Sequence, residues 1–380
     1  MTHTPSIQSP LRAIPPEITC AHDYERLAPR FMALPSFEYV AGGSGAGVTA
    51  AANRAAFARW AILPRILADV KQGHTRLTLA GAELPHPLLL APVAFQKLAH
   101  PGGEIEAARA AQALDATIIS STLSTFSVED IATAAGGRHW FQLYFQPTRE
   151  ATLALLRRAE AAGCGAIVVT LDATIQQAGA RALRAGFRMP ADCVSANLAA
   201  TPVVPVTLQE GDSAVFQGAM RGAPGWDDLA WLLANTALPV WVKGVLHPDD
   251  ARRLQAMSVA GIVVSNHGGR GLDGAPASLD LLSAVRAAVG VDFPLLFDGG
   301  IRSGADVFKA LALGADAVLI GRLQMYALAV AGALGVAHLL RCLREELEVC
   351  MALAGCARLA DIGRSTLWPA LANLTETPCC

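Results

Sequence analysis

Pro294-Leu-Leu-Phe-Asp298-Gly-Gly-Ile-Arg302-Ser-Gly304-Ala-Asp-Val-Phe-Lys-Ala-Leu-Ala-Leu313-Gly314-Ala-Asp-Ala-Val-Leu-Ile320-Gly321-Arg322 contains one whole structural unit and the start of the next. The apolar run Pro294–Asp298 breaks at paired glycines, a helical pattern follows over Gly304–Leu313, and the β-rich run Leu313–Ile320 breaks again at Gly321-Arg322. Both runs are apolar at nearly every position, as in parallel strands covered on both faces. Each is followed by glycine and arginine, which supply backbone donors and fixed positive charge for an anion.

The same alternation extends back through the chain. A helix end followed by a short β-rich run recurs at Ala113–Ser120, Ala161–Thr170 and Val259–Ser265. Further strand-like runs lie at Leu88–Pro92, Trp140–Tyr144 and Pro239–Lys243, and helical patterns lie at Gly103–Leu114, Thr148–Ala162, Pro248–Met257 and Leu279–Val289. Eight β-then-α units in about 230 residues predict an α/β fold of the (β/α)8 TIM-barrel type. A doubly wound sheet is the rival, but Gly42-Gly43-Ser44-Gly45-Ala46-Gly47 follows no strand and has neither GxGxxG spacing nor a P-loop Lys-Ser/Thr pair. It reads as a flexible connection. We expect one domain over 1–380, with a barrel at about 86–350 and an N-terminal helical extension. About 65 residues separate the fourth and fifth strands, and 190–225 within them reads as an active-site lid or mobile insertion.

Composition narrows the function classes. Hydrophobic residues make up 53% of the 380 and charged residues 16%, enough for a large core. A net charge of −2 argues against nucleic acid or an anionic membrane as partner. The eight cysteines lack metal-ligand spacing, so no metal is expected and a reducing cytoplasm is the natural setting. The N-terminal Met1–Pro16 lacks the apolar segment of a signal peptide. Leu323–Leu340 is 18 residues without formal charge, but its glycines, Gln324 and His338 read as a buried core helix rather than a membrane span.

Polar residues gather where the predicted strands end, the face on which such barrels place their chemistry. The sixth strand opens onto Ser265-Asn266-His267-Gly268-Gly269-Arg270. Histidine titrates near neutrality and can take a hydroxyl proton, and an arginine three residues on presents a fork matched to a carboxylate. Base and clamp on one loop point to a small hydroxy acid. Strand 3 carries Gln142 and Tyr144, strand 4 ends in Thr170-Leu171-Asp172, and strand 5 in Lys243, whose buried ammonium calls for an anionic partner such as a reduced flavin ring. The loops after strands 7 and 8, with Arg302 and Arg322, form a phosphate site.

These segments resemble the FMN-dependent α-hydroxy-acid oxidase and dehydrogenase family, which includes glycolate, lactate and mandelate or 4-hydroxymandelate oxidising enzymes. The resemblance runs from about Tyr24 to Ile362 and rests on Ser265–Arg270, Asp298–Gly314 and Phe141-Gln-Leu-Tyr144, supported by Ala91–Ala94, His100–Glu104 and Asn53–Phe57. It implies FMN as cofactor and oxidation of an (S)-2-hydroxy acid to the 2-oxo acid, with oxygen or an electron carrier as acceptor. By the same resemblance His267 is the base, Asp172 orients it, Tyr39 and Arg270 hold the carboxylate, and Tyr144 contacts the substrate oxygen. Pro92, Val93 and Ala94 lie against the flavin ring, with Ser121, Gln142, Thr170, Lys243 and Ser265 around its polar edge. Asp298, Gly299, Gly300, Arg302, Gly321 and Arg322 hold ribityl and phosphate, and the family implies a homotetramer.

The chain departs from the family at two places. The family carries a mobile arginine seven residues after the strand-4 aspartate, where this chain has Gly179, with Arg181 and Arg184 nearby. Leu123 replaces the tryptophan of short-chain glycolate oxidases, which suggests room for a longer or aromatic side chain. Ala94 and the lack of a haem or membrane segment lean toward an oxidase. Three alternatives stand beside this expectation: a dehydrogenase passing electrons to a carrier, a flavin-binding barrel without turnover, and a phosphate-binding barrel resembling IMP dehydrogenase or the flavin-dependent isoprenoid isomerases.

Overall fold

Eight parallel strands close on themselves in the computed structural model, which describes residues 7–79, 81–199 and 207–370. They are β1 (Leu88–Leu90), β2 (Thr117–Ser121), β3 (His139–Leu143), β4 (Ile167–Thr170), β5 (Val240–Val245), β6 (Gly261–Val264), β7 (Leu295–Phe297) and β8 (Ala317–Ile320). Closure is made by β8 against β1, in register Val318 to Leu88. All eight predicted strands are present and the five predicted helices form within a residue or two of the expected limits.

The apolar runs conceal an alternation that only closure reveals. Leu89, Ile119, Val168, Trp241, Val263, Leu296 and Leu319 point inward and pack into one cluster, while Leu88, Leu90, Ile118, Ile262, Val264 and Phe297 face outward onto the helices. Gly261 belongs to this filling, because a β-carbon there would overlap the Trp241 ring. A hairpin of Leu77–Leu79 and Ala82–Leu84 adds Leu79 and Leu84 to the inner cluster and closes the end of the barrel away from the polar strand ends.

One expectation is refined and another corrected. The apolar helix extends over Arg322–Ala354 but is not continuous: Ala331 and Gly332 leave helical geometry, Gly332 at φ 56°. The Glu106 carboxylate accepts from Ala333 N at 3.2 Å, satisfying a donor freed by the break. Most of this helix is buried inside the protein, as expected for a core helix.

The segment Gly42–Gly47 is not a flexible connection. Ser44 N donates to Gly269 O at 2.8 Å, Gly45 bridges Gly179, and the Asp273 carboxylate accepts from the backbone of Ala46, Gly47 and Thr49. The N-terminal extension is thereby fastened to the loop that carries His267 and Arg270. Of the long connection after β4, Ser195 Oγ and Asn197 Nδ2 donate to the Thr122 carbonyl, anchoring that part to the end of β2. Residues 200–206 of the predicted lid lie outside the described residues.

Candidate active site

The chain places His267 in the left-handed region, φ 59°, which turns its imidazole away from the strand direction and over the barrel mouth. Such a conformation is uncommon for a residue with a side chain and must be held by its surroundings. Three buried contacts do so. His267 N donates to Ser265 Oγ at 3.0 Å, Asn266 and Asn53 exchange side-chain amide bonds at 2.7 and 2.9 Å, and Asn266 N donates to Ser278 Oγ at 3.0 Å. The Asn53 pairing escaped the sequence because its partner lies more than two hundred residues away.

Asp172, from the end of β4, sits 2.9 Å from His267 Nδ1. Burial alone would raise its pKa, but the Lys243 charge and the contact with His267 outweigh it and hold the carboxyl at about 2. An ionised Asp172 accepts from Nδ1–H, which leaves Nε2 with its lone pair free to receive a proton. Gly244 makes this packing possible: its φ is 99° and an added β-carbon would lie 2.5 Å from the Asp172 side chain. Gly244→Ala should therefore push Asp172 off His267 and lower kcat by roughly tenfold or more, since a small misplacement of a catalytic pair is costly. Steady-state kinetics at equal flavin content checks this, and wild-type kcat would contradict it.

Lys243 is fully enclosed, and its expected anionic partner is the protein itself. Its ammonium lies 3.1 Å from Asp298 Oδ2 and donates to Ser265 Oγ at 2.8 Å. Burial would lower its pKa, but Asp298 and Asp172 raise it above the ordinary value, so the group stays charged. The expected anionic partner is thus present as Asp298, before any flavin is considered. Two of the three ammonium protons are used, and one remains available.

Arg270 spans from β6 back to the N-terminal extension. It donates to the carbonyls of Tyr39 and Gly42 at 2.8 and 3.3 Å, and its guanidinium lies 4.6 Å from the centre of the Tyr39 ring. Tyr39 in turn stacks on Phe187 at 4.2 Å. Tyr144 completes this side; burial and the nearby Asp172 charge raise its pKa, so its phenol stays protonated and can donate.

A cavity of about 160 Å³ joins these groups. Its wall includes Tyr39, Tyr144, His267 and Arg270, the apolar Pro92, Val93 and Ala94, Ser121 and Lys243, and Asp298–Arg302 with Gly321-Arg322. Asp172, Gln142, Thr170 and Ser265 do not line it. Asp172 and Ser265 support His267, and Gln142 Oε1 accepts from Ser121 Oγ at 3.1 Å. Thr170 sits beside Lys243 in the β4–β5 ladder. No described residue of 190–225 lines the cavity, and the sequence missed Gln176, Phe95 and Leu323 as lining residues.

The residues present fit FMN. Asp298 Oδ1 in the cavity wall, and Gln142 Nε2 and Thr170 Oγ1 at neighbouring strand ends behind it, are buried with no hydrogen-bond partner among the described residues. Orphaned buried polar groups are rare, and an absent ligand explains them economically. Arg322 gives its Nε, Nη1 and Nη2 to the carbonyls of Val40, Gly268 and Gly42 and meets no carboxylate among the described residues. Burial and the Arg270 charge lower its pKa to about 10, the mark of a cation short of counter-charge. Arg302 lines the cavity but is forked onto Glu25 at 2.7 and 3.3 Å, so less of its charge is free.

Comparison with known proteins agrees with this geometry. Residues 28–369 match the model of the FMN-dependent dehydrogenase family. The chain is 67% identical to an L-lactate oxidase of Alicycliphilus denitrificans, covering 95% of this chain and 99% of that one. It is 44% identical to a 4-hydroxymandelate oxidase of Amycolatopsis orientalis over 88% and 94% of the two chains. A solved mandelate oxidase structure superposes with a TM-score of 0.83 at 40% identity, over 92% of this chain and 98% of the other.

Proposed function

The chain belongs to the FMN-dependent dehydrogenase family, and from that premise we propose that it oxidises L-lactate or a close (S)-2-hydroxy acid, with dioxygen as acceptor. The protein is an FMN-dependent 2-hydroxy-acid oxidoreductase. Lactate as the substrate is supported by relatives of that name at 67% and 50% identity. The observation that carries the reading is the His267–Asp172 pair at 2.9 Å beside Arg270.

A bound FMN would supply the two-electron acceptor for oxidation at C2. The chain's own residues do the rest. Arg270 and Tyr39 hold the carboxylate, which fixes the C2 hydroxyl toward His267 Nε2. His267 takes the hydroxyl proton, and the buried Asp172 carboxylate stabilises the imidazolium so formed. Tyr144 donates to the substrate oxygen. Lys243, with one proton uncommitted, places positive charge in the cavity wall, where it can stabilise negative charge that develops during oxidation. Pro92–Ala94 supply an apolar wall and keep water from that face. The balance is one 2-hydroxy acid and one dioxygen giving one 2-oxo acid and one hydrogen peroxide. Aerobic turnover of L-lactate should yield pyruvate and peroxide in equal amounts, whereas pyruvate without peroxide would assign electron transfer to a carrier.

A second reading, a 2-hydroxy acid with an aromatic side chain, is favoured by Leu123 in the cavity wall and by the 4-hydroxymandelate oxidase relative. The ratio of kcat/KM for L-lactate to that for (S)-mandelate separates the two, and a ratio above one supports the first. A reducing, cytoplasmic setting is proposed from the scattered, unpaired spacing of the eight cysteines in the sequence.

A further inference from the structure

We propose that Gln176 is the third member of the carboxylate clamp, donating its side-chain amide to the substrate carboxylate alongside Arg270 and Tyr39. The inference rests on the hydroxy-acid reading above and identifies the group that completes that site. A second cavity of about 130 Å³ lies behind the clamp, and Tyr39, Gln176 and Arg270 are the three residues common to it and the main cavity. Gln176 therefore stands at the partition, beside the two groups that hold the carboxylate. It is also the only described residue of the β4–β5 connection that lines the main cavity.

The same connection offers no guanidinium for this position. Gly179 cannot carry a side chain in this backbone, because a β-carbon would overlap the carbonyl oxygen of Gly43. Its backbone is fixed there by the bridge to Gly45 and by the bond from Ala180 N to Gly45 O at 2.8 Å. Arg181 is turned onto Glu38, with Nε and Nη2 at 2.6 and 3.0 Å from the two carboxylate oxygens. A fork saturated by one carboxylate is not available to another. Neither Arg184 nor Arg188 lines either cavity. Gln176, in contrast, makes no side-chain hydrogen bond among the described residues. Its amide N–H groups are a neutral donor matched to a carboxylate oxygen. A clamp of one arginine, one amide and one phenol carries a single formal charge, so its hold on the acid depends on hydrogen bonds more than on charge.

The test uses the FMN-loaded enzyme and pyruvate as probe, titrated against the visible flavin spectrum, together with steady-state kinetics on L-lactate. Gln176→Ala should weaken pyruvate binding and raise KM by roughly tenfold, the effect of losing a hydrogen bond to a charged group. Its kcat, flavin content and melting temperature should stay near wild type, since Gln176 is exposed and stands apart from the His267–Asp172 pair. Gln176→Arg should bind pyruvate more tightly than wild type and lose that gain as salt is added. Pyruvate binding by Gln176→Ala within twofold of wild type overturns the proposal, as does a fall in kcat at unchanged KM. A wild-type enzyme that no hydroxy acid reduces is a different result, which removes the functional reading itself.

Discussion

Replacing His267 by Gln should leave a yellow, folded protein whose flavin is reduced by substrate roughly 10³- to 10⁴-fold more slowly. Glutamine is close to histidine in size and its amide can still donate to Asp172, but it cannot take a proton at neutral pH. The fold should tolerate the change, because Asp172 retains the positive charge of Lys243 and its packing on Gly244. The loop is held by Asn53, Ser265 and Ser278 rather than by the imidazole. Stopped-flow reduction measured beside flavin content separates the two roles of the residue. A normal reduction rate would remove His267 as the base, and loss of flavin would make it structural.

Lys243→Met should destabilise the folded protein by about 3–5 kcal/mol, because it leaves the buried Asp298 and Asp172 without their shared cation. The pH dependence gives a second readout. In the wild type the Asp172 carboxyl sits at about 2, below its ordinary 3.8. A depressed pKa contributes stability that is fully present above the unfolded value and is lost as pH falls from there toward about 2. Lys243 has the opposite sign: its raised pKa contributes stability below the ordinary ammonium value, and that is lost only when pH rises through the folded one. Removing Lys243 lets burial raise the Asp172 pKa, so acid unfolding should begin at higher pH than in wild type. Thermal melts of apoprotein and holoprotein across the acid range check both statements. An unchanged melting temperature at pH 7 would mean that Lys243 is not the counter-ion of the site.

The fold was legible because strands buried on both faces are written as continuous apolar runs, and because each run here stops at a polar strand end. The catalytic set was legible for the same reason: His267, Asp172, Lys243 and Arg270 each sit where an apolar run gives way to function. What escaped was contact between distant parts of the chain, which leaves no periodic mark. Asp273 pins Ala46–Thr49, Asp298 neutralises Lys243, and Glu25 takes Arg302, each across more than fifty residues. The kink at Ala331–Gly332 escaped because a glycine inside an apolar run reads as helix packing unless the capping group, here Glu106, is known. Gln176 escaped because an amide on an exposed loop looks like ordinary solvated surface until the cavity wall is drawn.

The central claim is that His267, Asp172 and Arg270 form one device for oxidising a 2-hydroxy acid at C2 on bound FMN. Anaerobic mixing of the FMN-loaded protein with L-lactate tests it most directly. The visible flavin band should bleach with L-lactate, persist with D-lactate and return when air is admitted. A band that no (S)-2-hydroxy acid bleaches, with FMN demonstrably bound, would contradict the account.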